Sequence, residues 1–173
     1  ITEWGGLPVI SLAGTPMTGA ERRLKFAFDW LFALIITLVL LPVFITLAMI
    51  LRLTSAGPVL FRQVRHGMGG DAIEILKFRT MKVNDQTGGT FVQATEDDDR
   101  VTTIGRFLRK TSLDELPQLF NVLRGEMSLV GPRPPVPQEV DLYSLSDRRR
   151  LDVIPGITCI WQISGRSEIP FDQ

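Results

Sequence analysis

The residues best suited to chemistry are two adjacent carboxylates, Asp114 and Glu115, within the sequence Ser-Leu-Asp-Glu-Leu-Pro-Gln at positions 112–118. Ser112 and Glu115 have the spacing of a capping box, and apolar residues then recur at helical intervals up to Leu123. We therefore expect a helix from Ser112 to Leu123 with both acids in its first turn. Neighbouring side chains on a helix point about 100° apart, so the two acids are predicted to have different tasks. One would face a reacting phosphorus, and the other would bind a metal ion or cap the helix.

A simpler interpretation is that both acids only complement the positive end of the helix dipole, as acids in a first turn often do. The same helix start would also attract a phosphate group. The sequence elsewhere favours the chemical interpretation, because it supplies rigidly placed cations and a long apolar segment.

The cations lie in short, well-defined settings. Lys77 and Arg79 follow a predicted strand, and Arg109 lies five residues before Asp114. Arg133 lies in the sequence Gly-Pro-Arg-Pro, where the prolines fix the backbone and aim the guanidinium at low entropic cost. A guanidinium fork binds phosphate oxygens in pairs and a lysine ammonium binds them as a point charge, so all four cations are predicted to bind the phosphates of a substrate.

A second rigid turn, Pro-Gly-Ile at positions 155–157, leads into Trp161, Gln162 and Arg166. The indole could stack on a nucleobase and the Gln162 amide could bond to one, while Arg166 adds a further cation. Gln162 and Arg166 are therefore predicted to bind substrate. A structural proline-rich loop is the alternative for each of these elements taken alone.

A 22-residue segment from Trp30 to Leu51 has no charged residue. As one straight helix it would be about 33 Å long, enough to cross a bilayer. Pro42 lies just past its middle and is predicted to break the helix. Arginines and lysines flank both ends, and positive charge favours the cytoplasmic side. The sequence therefore favours a bent, re-entrant segment over a kinked spanning helix, which remains the alternative.

Composition excludes several other classes of function. The 173 residues carry 19 basic and 19 acidic side chains, so no charge bias indicates nucleic acid binding. A single histidine, His66, makes a histidine metal cluster or a Ser-His-Asp triad improbable. A single cysteine, Cys159, excludes an internal disulfide framework.

The predicted fold is a small α+β, membrane-associated domain. Residues 1–20 are expected to form a loop-like linker from an upstream region, 21–54 the re-entrant helical hairpin, and 55–173 a catalytic domain that is incomplete at its C-terminal end. Within that domain we expect a β-hairpin, with strands at Val59–Phe61 and Ile73–Leu76 around the loop at 66–71, and a helix over Thr102–Lys110. A mobile acidic loop is expected over 84–100, and little regular structure beyond Gly125.

Together these motifs resemble the bacterial sugar transferase family, the polyprenyl-phosphate sugar-1-phosphate transferases. The resemblance covers about residues 22–166. The motifs that carry it, in chain order, are Lys25 with Asp29, the Pro42-broken apolar segment, Gly57–Arg62, Lys77–Met81, Asp99–Thr102, Leu108–Arg109, Ser112–Gln118, Met127–Pro134, Pro155–Thr158, Trp161–Gln162 and Gly165–Arg166.

The resemblance implies transfer of a sugar-1-phosphate from a UDP-sugar to undecaprenyl phosphate, with release of UMP, as the first membrane step of exopolysaccharide, capsule or O-antigen assembly. It implies a re-entrant helix in the bacterial inner membrane, an active site on the cytoplasmic face and a requirement for Mg²⁺. The aspartate that matches Asp114 is the nucleophile and forms a covalent phosphosugar intermediate. The glutamate that matches Glu115 helps to hold Mg²⁺, and Arg109 and Arg133 match phosphate-binding arginines.

The sequence departs from the family pattern at two places. Cys159 stands where the family generally has glycine, and Gln173 ends the chain within the pattern. Residues Leu7–Thr18 resemble the linker that precedes the catalytic unit in the larger members, so we expect the catalytic core of a larger member. The competing interpretation is a membrane-anchored scaffold or lipid-binding module without catalysis, which would be indicated by loss of Asp114 or Glu115. The sequence leaves open whether the chain forms a homo-oligomer and which sugar it would transfer.

Overall fold

The computed structural model describes residues 2–4, 7–9, 19–54, 56–82, 100–144 and 147–159. Its strands are β1 (Thr2–Trp4), β2 (Leu7–Val9), β3 (Leu60–His66), β4 (Ala72–Phe78), β5 (Ser128–Val130) and β6 (Gly156–Thr158). Its α-helices are α1 (Gly19–Val39), α2 (Leu41–Thr54), α3 (Thr103–Thr111), α4 (Gln118–Leu123) and α5 (Pro137–Val140), and 3₁₀ turns cover Met68–Gly70, Leu113–Glu115 and Asp147–Asp152. The mixed helix-and-strand architecture confirms the coarse fold class predicted from the sequence.

The N-terminal segment is not wholly the loop that we predicted. Strands β1 and β2 pair in antiparallel register, with Trp4 opposite Leu7. The sequence between them is Gly5-Gly6, a pair typical of tight hairpin turns, and this signal was overlooked.

The long apolar segment is broken, as predicted from Pro42. Helix α1 ends at Val39 and α2 begins at Leu41, so the break precedes the proline. Pro42 is the second residue of α2, where its missing N–H is harmless because first-turn donors have no helical partner. Among the described residues no single helix is long and apolar enough for a membrane crossing; α1 and α2 meet that criterion only as a pair, with a bend of 60° between them.

One face of the broken helix belongs to the core of the domain. The buried core residues from α1 and α2 pack with residues of β4, α3, α4 and the segment before β5. Phe44 is one of them, with its ring centroid 5.8 Å from Phe78 and 5.5 Å from Phe120. Many apolar side chains on the other faces of the two helices are exposed, for example Phe32, Ile35, Leu38, Val39, Ile45 and Met49.

A polar cluster attaches α1 to β5. Asp29 is buried, and the Lys25 ammonium lies 2.6 Å from its carboxylate oxygens. The Ser128 hydroxyl donates to Asp29 Oδ2 at 2.6 Å and accepts from Lys25 Nζ at 2.8 Å. The pairing satisfies a buried carboxylate, and it fixes the helix against a strand that is distant in sequence.

The predicted hairpin is confirmed as β3–β4 and is longer than expected. The antiparallel register places Arg65 opposite Ile73 and Phe61 opposite Lys77. Because residues alternate between the faces of a strand, Arg65 and Lys77 project from the same face. Gly69 and Gly70 have positive φ in the connecting turn, a conformation that glycine adopts without strain.

The segment beyond Gly125 contains more regular structure than we predicted. Strands β5 and β6 form a parallel pair, with Ser128 opposite Gly156. The pairing needs very close backbone approach, since a Cβ on Gly156 would lie 2.0 Å from the Gly131 nitrogen. The proline-rich composition concealed these three-residue strands, which depend on contacts between distant segments.

Candidate functional site

The turn that carries the two acids differs from the predicted capped helix. Ser112 has φ 58°, a left-handed conformation, and it ends α3 instead of beginning a new helix. Its side chain makes no capping hydrogen bond. Asp114 and Glu115 lie in the 3₁₀ turn, and α4 begins only at Gln118. The prediction of one capped helix from Ser112 to Leu123 was therefore wrong.

Pro117 explains the difference. It has no N–H, so it cannot donate to the Leu113 carbonyl, which instead accepts from Leu116 at 3.3 Å. The chain passes through tight turns of the 3₁₀ type before α4, with Glu115 N–H bonded to the Ser112 carbonyl at 3.2 Å. Both acids are held in a rigid turn that is partly buried.

Lys77 on β4 links this turn to the hairpin. Its ammonium lies 2.8 Å from Glu115 Oε1, and both side chains are partly shielded from solvent. Burial raises the pKa of Asp114, Lys77 opposes that shift, Glu115 adds to it and Arg109 opposes it. Two cations and a second carboxylate therefore act on the Asp114 carboxyl.

Arg109 is positioned from the end of β4. Its Nε donates to Thr80 Oγ1 at 2.9 Å. Thr102 caps the start of α3 through a bond from Gly105 N–H at 2.9 Å, and its own N–H donates to the Thr80 carbonyl at 3.0 Å. A Cβ on Gly105 would lie 2.0 Å from that carbonyl oxygen, so only glycine permits this approach.

Asn121 on α4 holds the turn against the hairpin. The residue is fully buried, its Oδ1 accepts from Leu76 N–H at 3.0 Å, and its Nδ2 donates to the Glu74 carbonyl at 2.7 Å. A second bond from Nδ2 reaches Glu126 Oε2 at 2.6 Å. The Asn121 side chain thus pairs backbone N–H and carbonyl groups at the outer edge of β4, as a neighbouring strand would do.

A cleft opens on the Glu115 side of the turn. The residues that line it come from β3, β4, the 3₁₀ turn, α4, the proline-rich turn after β5, and β6: Arg65, Ile75, Lys77, Glu115, Gln118, Arg133, Pro134, Gly156 and Ile157. The turn that carries Arg133 is held from both sides. Gly156 N–H donates to the Pro132 carbonyl at 2.9 Å, and His66 N–H donates to the Pro135 carbonyl at 3.0 Å.

Comparison with known proteins identifies a family for this chain. A family model described as bacterial sugar transferase matches residues 20–173, which is most of the chain. The chain belongs to the bacterial sugar transferase family. The resemblance inferred from the sequence motifs is thereby confirmed.

Three relatives illustrate this sugar transferase family. A UDP-glucose:undecaprenyl-phosphate glucose-1-phosphate transferase of Escherichia coli (strain K12) is 47% identical over 174 residues, covering 95% of this chain and 36% of the relative. Galactosyl transferase CpsE of Streptococcus agalactiae serotype III is 48% identical over 132 residues, covering 69% of the chain and 29% of CpsE. Exopolysaccharide production protein ExoY of Sinorhizobium fredii is 38% identical over 170 residues, covering 90% of the chain and 74% of ExoY. The chain spans about a third of the length of the first relative.

The predicted site residues of this family member divide into three groups. Lys77, Arg109, Asp114 and Glu115 come together around the 3₁₀ turn, and Arg133 lies across the adjoining cleft. Arg79 is not among the residues that line the cleft. It is buried, and its Nη1 donates to the Ala56 carbonyl at 2.8 Å, which attaches the end of β4 to the segment after α2. Gln162 and Arg166 lie outside the described residues.

Two residues of the sugar transferase cleft were missed in the sequence. Arg65 was overlooked because the predicted first strand ended at Phe61, so its alternation was not followed to the cleft face. Gln118 was treated as the end of the acidic motif, although it is buried and lines the cleft as the first residue of α4. The period-two pattern of β3 could have identified Arg65.

The donor atoms present fit a magnesium ion that is shared with a substrate. The described residues contain no cluster of three or more His, Cys, Asp or Glu side chains. Mg²⁺ is commonly bound by one or two carboxylates together with substrate phosphates and water. Glu115, which lines the cleft, and Asp114 beside it supply carboxylates of that kind.

Proposed function

We propose that this sugar transferase moves a sugar-1-phosphate from a UDP-sugar to undecaprenyl phosphate and releases UMP. The observation that carries the proposal is the pair Asp114 and Glu115, with Lys77 and Arg109 both acting electrostatically on Asp114, beside a cleft lined with cations. The relatives support the reaction class, since the E. coli protein is named for transfer of glucose-1-phosphate from UDP-glucose to undecaprenyl phosphate. The pathway proposed is the initiation of exopolysaccharide, capsule or O-antigen assembly.

The proposed mechanism has two displacements at one phosphorus. An oxygen of the Asp114 carboxylate attacks the phosphorus that bears the sugar, and the bond to the UMP oxygen breaks with its electron pair. The product is an acyl phosphate in which the sugar phosphate is attached to Asp114. An oxygen of the polyprenyl phosphate then attacks that phosphorus, and the carboxylate of Asp114 leaves. A covalent intermediate divides a difficult transfer into two easier steps.

Lys77 would assist the first displacement in two ways. It favours the ionised, attacking form of Asp114 because its charge lowers the pKa of that carboxyl. Its hydrogen bond to Glu115 at 2.8 Å fixes the second carboxylate. Arg109 also lowers the pKa of Asp114, and its bond to Thr80 orients the guanidinium. Arg133 would bind a phosphate from the other side of the cleft.

Glu115 is proposed to hold Mg²⁺ together with oxygens of the UDP-sugar. When bound, the ion supplies neutralisation of negative charge on the diphosphate. This division gives the two neighbouring acids different tasks, because Glu115 lines the cleft while the charges of Lys77 and Arg109 both act on Asp114.

The bent pair α1–α2 is proposed to be a re-entrant segment in the inner membrane, with the site on the cytoplasmic face. The apolar parts of the two arms would each be about 15–17 Å long, which reaches the bilayer centre. Their exposed apolar faces would contact lipid, while the buried face holds the arms on the domain. This arrangement would bring the acceptor's phosphate, at the level of the lipid headgroups, near the acids.

An assay of UMP release tests the proposal. Purified protein in non-ionic detergent is incubated with Mg²⁺, undecaprenyl phosphate and one UDP-sugar at a time, beginning with UDP-glucose and UDP-galactose. We expect one sugar to give UMP and an equal amount of polyprenyl-diphosphate sugar. Absence of UMP with every UDP-sugar, from protein that unfolds cooperatively, would instead support the membrane-anchored scaffold or lipid-binding module.

A further inference from the structure

Arg65 is a buried arginine on the cleft face of the β3–β4 hairpin. The register puts it on the same face as Lys77. Arg62, on the opposite face of the same strand, has a side chain that is 68% exposed and pairs with Glu74. Arg65, by contrast, is only 7% exposed. Arginine is rarely buried to this extent unless its charge has a partner.

The protein provides hydrogen-bond acceptors for only some of the Arg65 guanidinium donors. Its Nη1 donates to the Pro134 carbonyl at 3.2 Å, and its Nη2 donates to Gln63 Oε1 at 3.1 Å. Its Nε is shielded from solvent and has no hydrogen-bond partner in the part of the chain that the structure describes. Buried side-chain donors are nearly always paired, so an unpaired one in a cleft indicates a group that binds there.

The charges around Arg65 indicate the sign of that group. Among the described residues that line the cleft, Arg65, Lys77 and Arg133 are cationic and Glu115 is the one carboxylate. Burial lowers the pKa of Arg65 to about 10, and repulsion from Arg133 adds to this shift, against Glu139 and Glu115. Arg65 is buried while Arg133 is exposed, and an anion bound beside both would offset the repulsion between them.

We propose that Arg65 is an anion-binding residue of this cleft and that it acts with Arg133 on a phosphate or diphosphate group. For the identity of the ligand the proposal rests on the proposed function, in which both the UDP-sugar and the polyprenyl phosphate carry this chemistry. The oxygens of such a group would accept the hydrogen bonds that the protein leaves unused and would offset the repulsion between the two guanidiniums. Lys77, on the same face, would meet the same charge from the β4 side.

Inorganic pyrophosphate is the probe for the first test, by calorimetric titration of the full-length protein in non-ionic detergent. Arg65→Gln removes the guanidinium, and Arg62→Gln is the matched control because it removes an arginine from the opposite face of the same strand. We expect Arg65→Gln to weaken pyrophosphate binding about tenfold or more, since hydrogen bonds to charged groups contribute about 1.5–3 kcal/mol. Arg62→Gln should change the affinity less than about twofold because its charge is screened. Equal affinities in Arg65→Gln and the wild type, or equal weakening in both variants, would overturn the proposal.

A purely structural role of Arg65, as the support of the Pro134 loop, gives a different result. The unfolding temperature without ligand would then fall in Arg65→Gln, while the affinity for pyrophosphate of the folded fraction stayed that of the wild type. Arg65→Lys keeps the positive charge but loses the paired donors of the guanidinium, so it is the variant to measure if Arg65→Gln does not fold. We expect Arg65→Lys to bind pyrophosphate with reduced but measurable affinity, and wild-type affinity would contradict the role of the paired donors.

Competition identifies the source of the phosphate. If bound pyrophosphate is displaced by UMP, Arg65 binds the donor; if it is displaced by farnesyl phosphate, Arg65 binds the acceptor; displacement by neither contradicts the proposal. The affinities are measured without turnover, so they separate this inference from the proposed function. Arg65-dependent binding in a protein that releases no UMP from any UDP-sugar would refute the proposed function alone.

Discussion

The Lys77 ammonium lies 2.8 Å from Glu115 Oε1, and the same charge lowers the pKa of Asp114. One cation on β4 thus acts on both acids of a turn that is 38 residues away in sequence. The turn and the strand must be docked for this to happen, so the chemistry of the acids depends on how the two elements pack.

We predict that Lys77→Gln shifts the acidic limb of the pH–rate profile to higher pH. The substitution removes the charge that opposes the rise in the pKa of Asp114, so the attacking carboxylate forms only at higher pH. The measurement is the initial rate of UMP release between about pH 4 and pH 9, a range that begins near the ordinary carboxyl pKa. Lys82→Gln, at an exposed position after β4, is the control. An unchanged acidic limb in Lys77→Gln would contradict the coupling.

We predict that Asp114→Asn stabilises the folded protein at neutral pH. Burial raises the pKa of Asp114 above its ordinary value of 3.8, so the unfolded chain loses this proton at lower pH than the folded protein does. Stability therefore falls as the pH rises from near 3.8 through the higher pKa of the folded state, and an amide avoids this loss. Unfolding temperatures of the wild type and the variant should converge toward low pH and diverge above it.

The control for that comparison is Asp71→Asn, at an exposed carboxylate in the turn between β3 and β4. If Asp114 served only to complement a helix dipole, Asp114→Asn would instead lower the stability at neutral pH by about 1 kcal/mol or less. A gain in stability in Asp114→Asn would thus indicate a buried functional acid, and a loss would indicate a capping residue.

Gly105→Ala should displace α3 and with it Arg109. The added methyl group would lie 2.0 Å from the backbone oxygen of Thr80, which cannot move aside as a flexible side chain could. We expect a loss of about 1–3 kcal/mol in stability and a larger proportional loss of UMP release. Gly19→Ala is the matched control, because nothing lies within 4 Å of the added atom. Chemical denaturation and the UMP assay measure the two effects.

We predict that both ends of the bent pair α1–α2 face the cytoplasm. Single cysteines at Ala20 and Thr54, in a Cys159→Ser background, should react with an impermeant thiol reagent only after the inner membrane is permeabilised. A cysteine at Leu38, near the bend, should be shielded from both sides by lipid. Reaction of either end cysteine in intact spheroplasts lacking the outer membrane would contradict re-entry. Pro42→Leu should favour a straighter helix.

The sequence predicted the elements that depend on local signals. The break before Pro42, the helix that Thr102 caps and the β3–β4 hairpin follow from proline, capping and glycine patterns within a few residues. The sequence named Asp114, Glu115, Lys77, Arg109 and Arg133 as site residues, and the structure places these five around the 3₁₀ turn and the adjoining cleft. Their roles stay predictions.

Two of the misses had local signals that were not followed. Ser112 and Glu115 have the spacing of a capping box, yet Ser112 ends α3 because Pro117 prevents one continuous helix. Arg65 was not among the predicted site residues, although the alternation of β3 and the register of the hairpin put it on the cleft face. Other features depend on contacts between distant segments, such as the pairing of β5 with β6 and the bond from Arg79 to the Ala56 carbonyl. The substrate-binding role of Arg79 stays a prediction.

The central claim, that Asp114 is the nucleophile, is tested most directly by a single-turnover experiment without lipid. The protein is mixed with Mg²⁺ and a UDP-sugar labelled in the sugar, and the label on the protein is mapped by peptide mass spectrometry after an acid quench. We predict an amount of UMP that does not exceed the enzyme, with sugar phosphate attached at Asp114. Asp114→Asn should form no adduct, and Glu115→Gln should form it slowly and recover in part at higher Mg²⁺. An adduct at another residue, or turnover to polyprenyl-diphosphate sugar by Asp114→Asn, would contradict the assignment.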